Sequence, residues 1–216
     1  MTGRAVTPTP LYLLILGSLD EAPMHPYEIQ RLAVERGKTG IHGVKRGSLY
    51  HAVARLEGAG LIEAAETNRE GRRPERTVYR LTGEGSEVVR DWLVGLLRDP
   101  STRGSDLVAA LEYMALLEPA QVQNAFQYRV LLLDGELGAL RAAAESIGDQ
   151  LPRIFTIESE LQTVLRQAER DWAAGVLEDL KSGAFAWSRA GLHAWAQQSP
   201  FANGRRRDSV EDGRTT

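Results

Sequence analysis

The sequence predicts a mainly α-helical protein in which three short helices, a strand pair and a fourth helix are followed by longer helices. Three observations predict it. In the first sixty residues apolar side chains recur at helical spacing in short runs, each cut by proline or glycine. Two short β-type runs, 61–67 and 77–81, then flank a turn-rich, arginine-rich stretch. Beyond Asp99-Pro100 helical spacing resumes and continues to about residue 180.

The elements follow in order. Thr9-Pro10 reads as a helix start, with Thr as cap and Pro in the first turn, and Leu11, Leu14, Ile15 and Leu19 form the stripe behind it. Residues Asp20 to Pro23 break that helix. Pro26 opens a second, with Ile29, Leu32 and Ala33 inward, and a glycine-bearing loop spans 37–43. A third helix runs from Gly47-Ser48 to Gly58. Its Leu49, Val53 and Leu56 cluster on one side, and Ser48, His51 and Arg55 on the other. Thr82 caps a fourth helix with Val88, Val89, Trp92, Leu93 and Leu96 on its apolar face.

After a linker at 99–104, Ser105 reads as the cap of a helix bearing Leu107, Leu111 and Met114. Pro119 starts a longer helix whose Phe126, Val130, Leu133, Leu137, Leu140, Ala144 and Ile147 step by 4 and 3 alternately, a heptad seam. Pro152 opens the next, with Ile157, Leu161, Val164, Ala168 and Trp172 aligned, and a short helix over 184–196 carries Trp187 and Trp195. From 199 the chain is polar and reads as a disordered tail.

Composition narrows the function. The 216 residues contain no cysteine, which excludes disulfides and thiolate metal sites and favours a reducing, cytoplasmic setting. Four scattered histidines offer no zinc spacing, and no apolar run reaches membrane-spanning length. The net charge of −3 hides an asymmetry: residues 1–82 hold 12 Lys/Arg against 9 Asp/Glu, and 83–216 hold 14 against 20. A basic front half on an acidic chain suits contact with a polyanion. No catalytic triad, phosphate-cradling loop or metal cluster is visible, so neither an enzyme nor a cofactor is expected.

The order helix, helix, helix, strand, loop, strand, helix is that of a winged helix-turn-helix. We therefore divide the chain into a winged helix-turn-helix DNA-binding domain (1–98), a helical dimerisation domain (99–198) and a tail (199–216). The third helix is the expected recognition helix. It offers Lys45, Arg46, Ser48, Tyr50, His51 and Arg55 to the major groove of double-stranded DNA, with no acid between 45 and 55. Tyr50 points near the edge of the buried face, so it reads equally as a core-flanking aromatic. The loop between the strands is the wing, with Arg69, Arg72, Arg73 and Arg76 reaching phosphates or a minor groove. The seam residues Phe126, Val130, Leu133, Leu137 and Leu140, with Leu161 and Trp172, are the candidate homodimer contacts. Packing within one chain gives the same periodicity. One winged helix makes few phosphate contacts, whereas two linked copies read half-sites about 34 Å apart, which predicts a palindromic operator.

The motifs His25-Pro26-Tyr27-Glu28-Ile29, Gly47-Ser48-Leu49-Tyr50, Arg55-Leu56-Glu57, Gly60-Leu61-Ile62 and Tyr79-Arg80-Leu81-Thr82 with Gly85 occur in order over residues 9–97. In this series the chain resembles the PadR family of bacterial transcriptional regulators. It departs at Pro26, where the family usually has glycine, and at His51, where it often has proline. Both fall in first helical turns, where proline is tolerated. The resemblance implies a repressor-like regulator, with a small aromatic or hydrophobic effector bound near the dimer interface. A winged helix turned to protein–protein contact is the alternative, and it has no need of Arg46, Arg55 and four wing arginines.

Overall fold

The computed structural model describes residues 6–36, 46–68, 76–102, 104–147 and 151–198. Helix α1 (Pro10–Glu21) starts where Thr9 accepts a hydrogen bond from the Tyr12 N–H, with Pro10 in the first turn. Every residue from Tyr12 to Leu19 is buried, not only the stripe that the spacing marked. Such a helix lies at the centre of its half of the chain, and α1 packs against α2, α3, β2 and α4, together with α5.

Helix α2 (Pro26–Glu35) is capped by His25, whose Nδ1 accepts from the Tyr27 N–H while Glu28 accepts from the His25 N–H. Helix α3 (Arg46–Gly58) follows. It ends at Gly60, whose φ of +76° suits glycine. Strands β1 (Ile62–Asn68) and β2 (Arg76–Leu81) pair antiparallel, with an irregularity between Ala64 and Glu66. The turn before α2 joins them, because Met24 and Tyr79 exchange backbone hydrogen bonds of 3.0 and 3.1 Å.

Thr82 ties the strand pair to helix α4 (Gly83–Arg98). Its hydroxyl accepts from the Gly85 N–H and donates to the Gly60 and Leu61 carbonyls. Helix α5 (Gly104–Tyr113) begins two residues earlier than a Ser105 cap implies and leaves Ser105 inside it, an ordinary terminal ambiguity. Then come a single 3₁₀ turn, helix α6 (Pro119–Ile147) and helix α7 (Ile157–Ser182), which packs along α6. Pro152 opens only a 3₁₀ turn, Arg153–Phe155, before α7.

Helix α8 (Arg189–Gln198) is shorter than expected and leaves Trp187 outside it. Gly183, at φ +79°, ends α7, and Ser188 accepts from the Gly191 N–H where α8 starts. The segment between is a strap: the Trp187 indole donates to the Leu117 carbonyl, and Arg189 pairs with Asp20 of α1. One buried cluster runs from Tyr12 of α1 to Leu180 of α7, so the two halves of the chain share a core. The expectation for 199–216 lies outside the described residues.

Candidate nucleic-acid interface

The outward face of α3 is set by what lies beneath it. Leu49, Ala52, Val53 and Leu56 are buried, which orients the helix about its axis. At 100° per residue, Ser48, His51 and Arg55 then fall within about 60° of one another on the far side. All three are exposed. Glu57 lies away from them, on the flank of the helix.

Tyr50 has the double character its direction implied. It is 41% exposed, and its ring stands edge-on to His25 with 6.4 Å between centroids. Helix α3 and the α2 cap are thereby in contact. Tyr27, exposed in the first turn of α2, adjoins the same cap.

Electrostatics sorts the cations of this half. Arg31 pairs with Glu35, Arg36 with Glu21 and Arg80 with Glu63. The Arg36–Glu21 contact ties the end of α2 to α1, and beside Glu21 the guanidinium is held above its ordinary pKa. Arg55 has no ion-pair partner among the described residues. A cation whose charge the described residues do not neutralise is available to a phosphate.

Lys45, Arg69, Arg72 and Arg73 lie outside the described residues. Arg46 and Arg76 are placed as the first residues of α3 and β2, with only their backbone described. β1 and β2, which flank that loop in sequence, form the sheet that Thr82 fastens to α4.

The model of the PadR-like transcriptional regulator family matches residues 15–91. That stretch of the chain is similar to this family. That family is one of transcriptional regulators, not of enzymes. The matched segment runs from the middle of α1 into α4 and holds the whole of α2, α3 and the strand pair. Solved structures similar to this chain include Bacillus subtilis PadR in complex with operator DNA, at 20% identity over 79% of this chain and 98% of that one, with a TM-score of 0.37. A PadR-like regulator from Bacillus cereus is 18% identical over 82% and 99% of the two chains, with a TM-score of 0.34. Bacillus subtilis PadR in complex with p-coumaric acid is 18% identical over 80% and 99%, with a TM-score of 0.33. Among curated proteins, none matches the chain in sequence.

The helical half of the chain places the seam residues unequally. Phe126, Leu133 and Leu137 are fully buried within the chain, and Val130 and Leu140 are half-buried. The reason is the helical period. The buried line on α6 runs Val122, Phe126, Arg129, Leu133, Leu137, because a straight helix turns every 3.6 residues and drifts off a strict heptad. Leu161 and Trp172 are exposed on α7, in one stripe with Ile157, Val164 and Leu165. Among the described residues, no helix is long and apolar enough to cross a membrane, and no group of three or more His, Cys, Asp or Glu residues is placed to hold a metal.

Proposed function

We propose that the chain is a DNA-binding transcriptional regulator that acts as a homodimeric repressor at a palindromic operator. The observation that carries this is the outer face of α3. It presents an exposed hydroxyl, an imidazole and a guanidinium without an ion-pair partner among the described residues, on a helix locked in orientation by four buried side chains. A helix of this kind fits the major groove and reads base edges from its amino-terminal turns, while Arg55 and the wing arginines meet phosphates.

Dimerisation is supported by the exposed stripe of α7. Leu161, Val164 and Leu165 are each more than half exposed, on one face with Trp172, an apolar surface that a second copy would cover. In this reading Leu161 and Trp172 meet the partner, whereas Phe126, Leu133 and Leu137 hold α6 to its own chain. A cleft of about 800 Å³ between α5, α6 and α7, bordered by Leu107, Leu140 and Leu165 on its apolar side and by Glu136, Arg166 and Glu169 on its charged side, is the candidate place for a small aromatic or hydrophobic effector that also carries a polar group. An effector acts there by binding the DNA-competent and incompetent states unequally.

The test is equilibrium binding of the full chain to the duplex upstream of its own gene and to a random duplex, across a salt series. Tight, sequence-selective binding with a steep salt dependence is expected. Arg55→Ala is expected to lower the slope of log K against log salt by about 0.9, the value of one lost phosphate contact. Absence of binding to either duplex at low salt, with and without candidate effectors, would refute the reading.

A further inference from the structure

Arg129 is the one fully buried charged side chain among the described residues. It lies in the middle of α6, on the line of buried apolar residues. Its Nη1 donates to the carbonyls of Leu96, Leu97 and Asp99 at 3.2, 2.9 and 3.0 Å. Leu96 and Leu97 are the last turn of α4, where carbonyls lack helical partners and the helix dipole favours a cation. The other edge of the guanidinium, Nε and Nη2, grips Oε1 of Glu169 on α7 at 2.9 and 2.6 Å.

The second oxygen of Glu169 accepts from Arg166 at 3.0 Å. Arg166 in turn donates to the Pro100 carbonyl at 2.9 Å and pairs with Glu136 of α6 at 2.9 Å. One planar group thus joins the end of α4 to both long helices, and a second arginine repeats the bond to the linker. Apolar contacts are non-directional and let packed helices slide, whereas a guanidinium fork satisfies its partners at one angle only.

We propose that Arg129 is a positioning residue that fixes the winged-helix half at one angle to the α6–α7 pair. The guanidinium joint, more than the shared apolar core, sets that angle. In a dimer built on α7, the same angle sets the separation of the two α3 helices, and so the spacing of half-sites that can be read. This consequence rests on the DNA-binding reading; the joint itself does not.

The chain has no cysteine, so Val34→Cys on α2 and Glu145→Cys on α6, both exposed, give a clean spin-label pair. Labelled full chain is diluted with unlabelled chain so that distances within one copy are read, without DNA. With Arg129 present a narrow distance distribution is expected. In Arg129→Met a broadened or shifted distribution is expected at unchanged helical content by circular dichroism. A folded Arg129→Met with the native distribution overturns the proposal, since a merely structural contact would lower the melting temperature and leave the angle alone. If Arg129→Met does not fold, Glu169→Gln decides. It preserves shape and removes the countercharge, so broadening supports the joint and a native distribution overturns it. Because no DNA is present, failure of the DNA-binding reading leaves this result intact.

Discussion

Gly17→Ala is a substitution whose sign the structure reverses. Gly17 lies inside α1, and alanine in a helix interior is ordinarily more stable than glycine by about 1 kcal/mol. In this fold a Cβ on Gly17 would overlap Cδ1 and Cε1 of the Tyr113 ring, with the ring Cγ at 3.2 Å. Tyr113 is itself buried, at 7% exposure, and closes α5 onto α1. It has no open side to retreat to, so the cost falls at the upper end of the overpacking range, about 3 kcal/mol. The net expectation is a loss of about 2 kcal/mol after the helix-propensity gain. At about 2–4 °C per kcal/mol for a chain of this size, the melting temperature should fall by about 4–8 °C. Gly95→Ala on α4 is the matched control. Gly95 is exposed with nothing within 4 Å of the added Cβ, so that variant should gain up to about 1 kcal/mol. Urea unfolding followed by circular dichroism reads both, and the Gly17→Ala loss should shrink in a Tyr113→Leu background. A Gly17→Ala chain as stable as the parent would show that the ring does not seat against α1, and the reasoning would fail.

Three further outcomes follow from the same geometry. Leu161→Asp, on the exposed stripe of α7, should yield folded monomers in sedimentation, whereas Leu133→Asp, fully buried, should unfold the chain by several kcal/mol; folded monomers from Leu133→Asp would place the seam at the interface after all. Burial, and after it the charges of Glu112 and Glu21, push the Tyr113 phenol above its ordinary value of 10.0. Its neutral form therefore stabilises the fold fully below pH 10 and loses that contribution as pH rises toward the folded-state value. At pH 11 the loss is about 1.4 kcal/mol, and it should be absent from Tyr113→Phe in urea unfolding at pH 8 and pH 11. Thr82→Ala removes the α4 cap and the hydroxyl bond to the Gly60 and Leu61 carbonyls, and should cost about 1–2 kcal/mol in the same assay.

Much of the amino-terminal half was legible because its signals are local. Thr9-Pro10 and Thr82 mark helix starts by chemistry that acts within three residues, and both are caps in the structure. The two β-type runs became β1 and β2 within a residue of their expected ends. On α3 the spacing of Leu49, Val53 and Leu56 was enough to tell inside from outside, so Ser48, His51 and Arg55 were correctly expected to face away from the core. The helical half was less legible. A 4,3 step on α6 fits a partner helix of the same chain as well as one of another, and sequence does not say which arrives. Arg129 was overlooked although it sits three residues after Phe126 and four before Leu133, on the buried line. A lone charge in such a stripe was the signal.

By itself the sequence determined the helical class, the strand pair and which face of α3 is polar, because caps, turns and periodicity are properties of a few neighbouring residues. Only the tertiary structure decided that α1 is buried all round, that Phe126, Leu133 and Leu137 belong to the core, and that Arg129 bonds to α4 and α7 at once. Those are outcomes of contact between residues far apart in sequence: 30 positions from Arg129 to Asp99, 40 from Arg129 to Glu169, and more between α1 and α5. No local pattern encodes them, because burial and charge pairing depend on which surfaces meet.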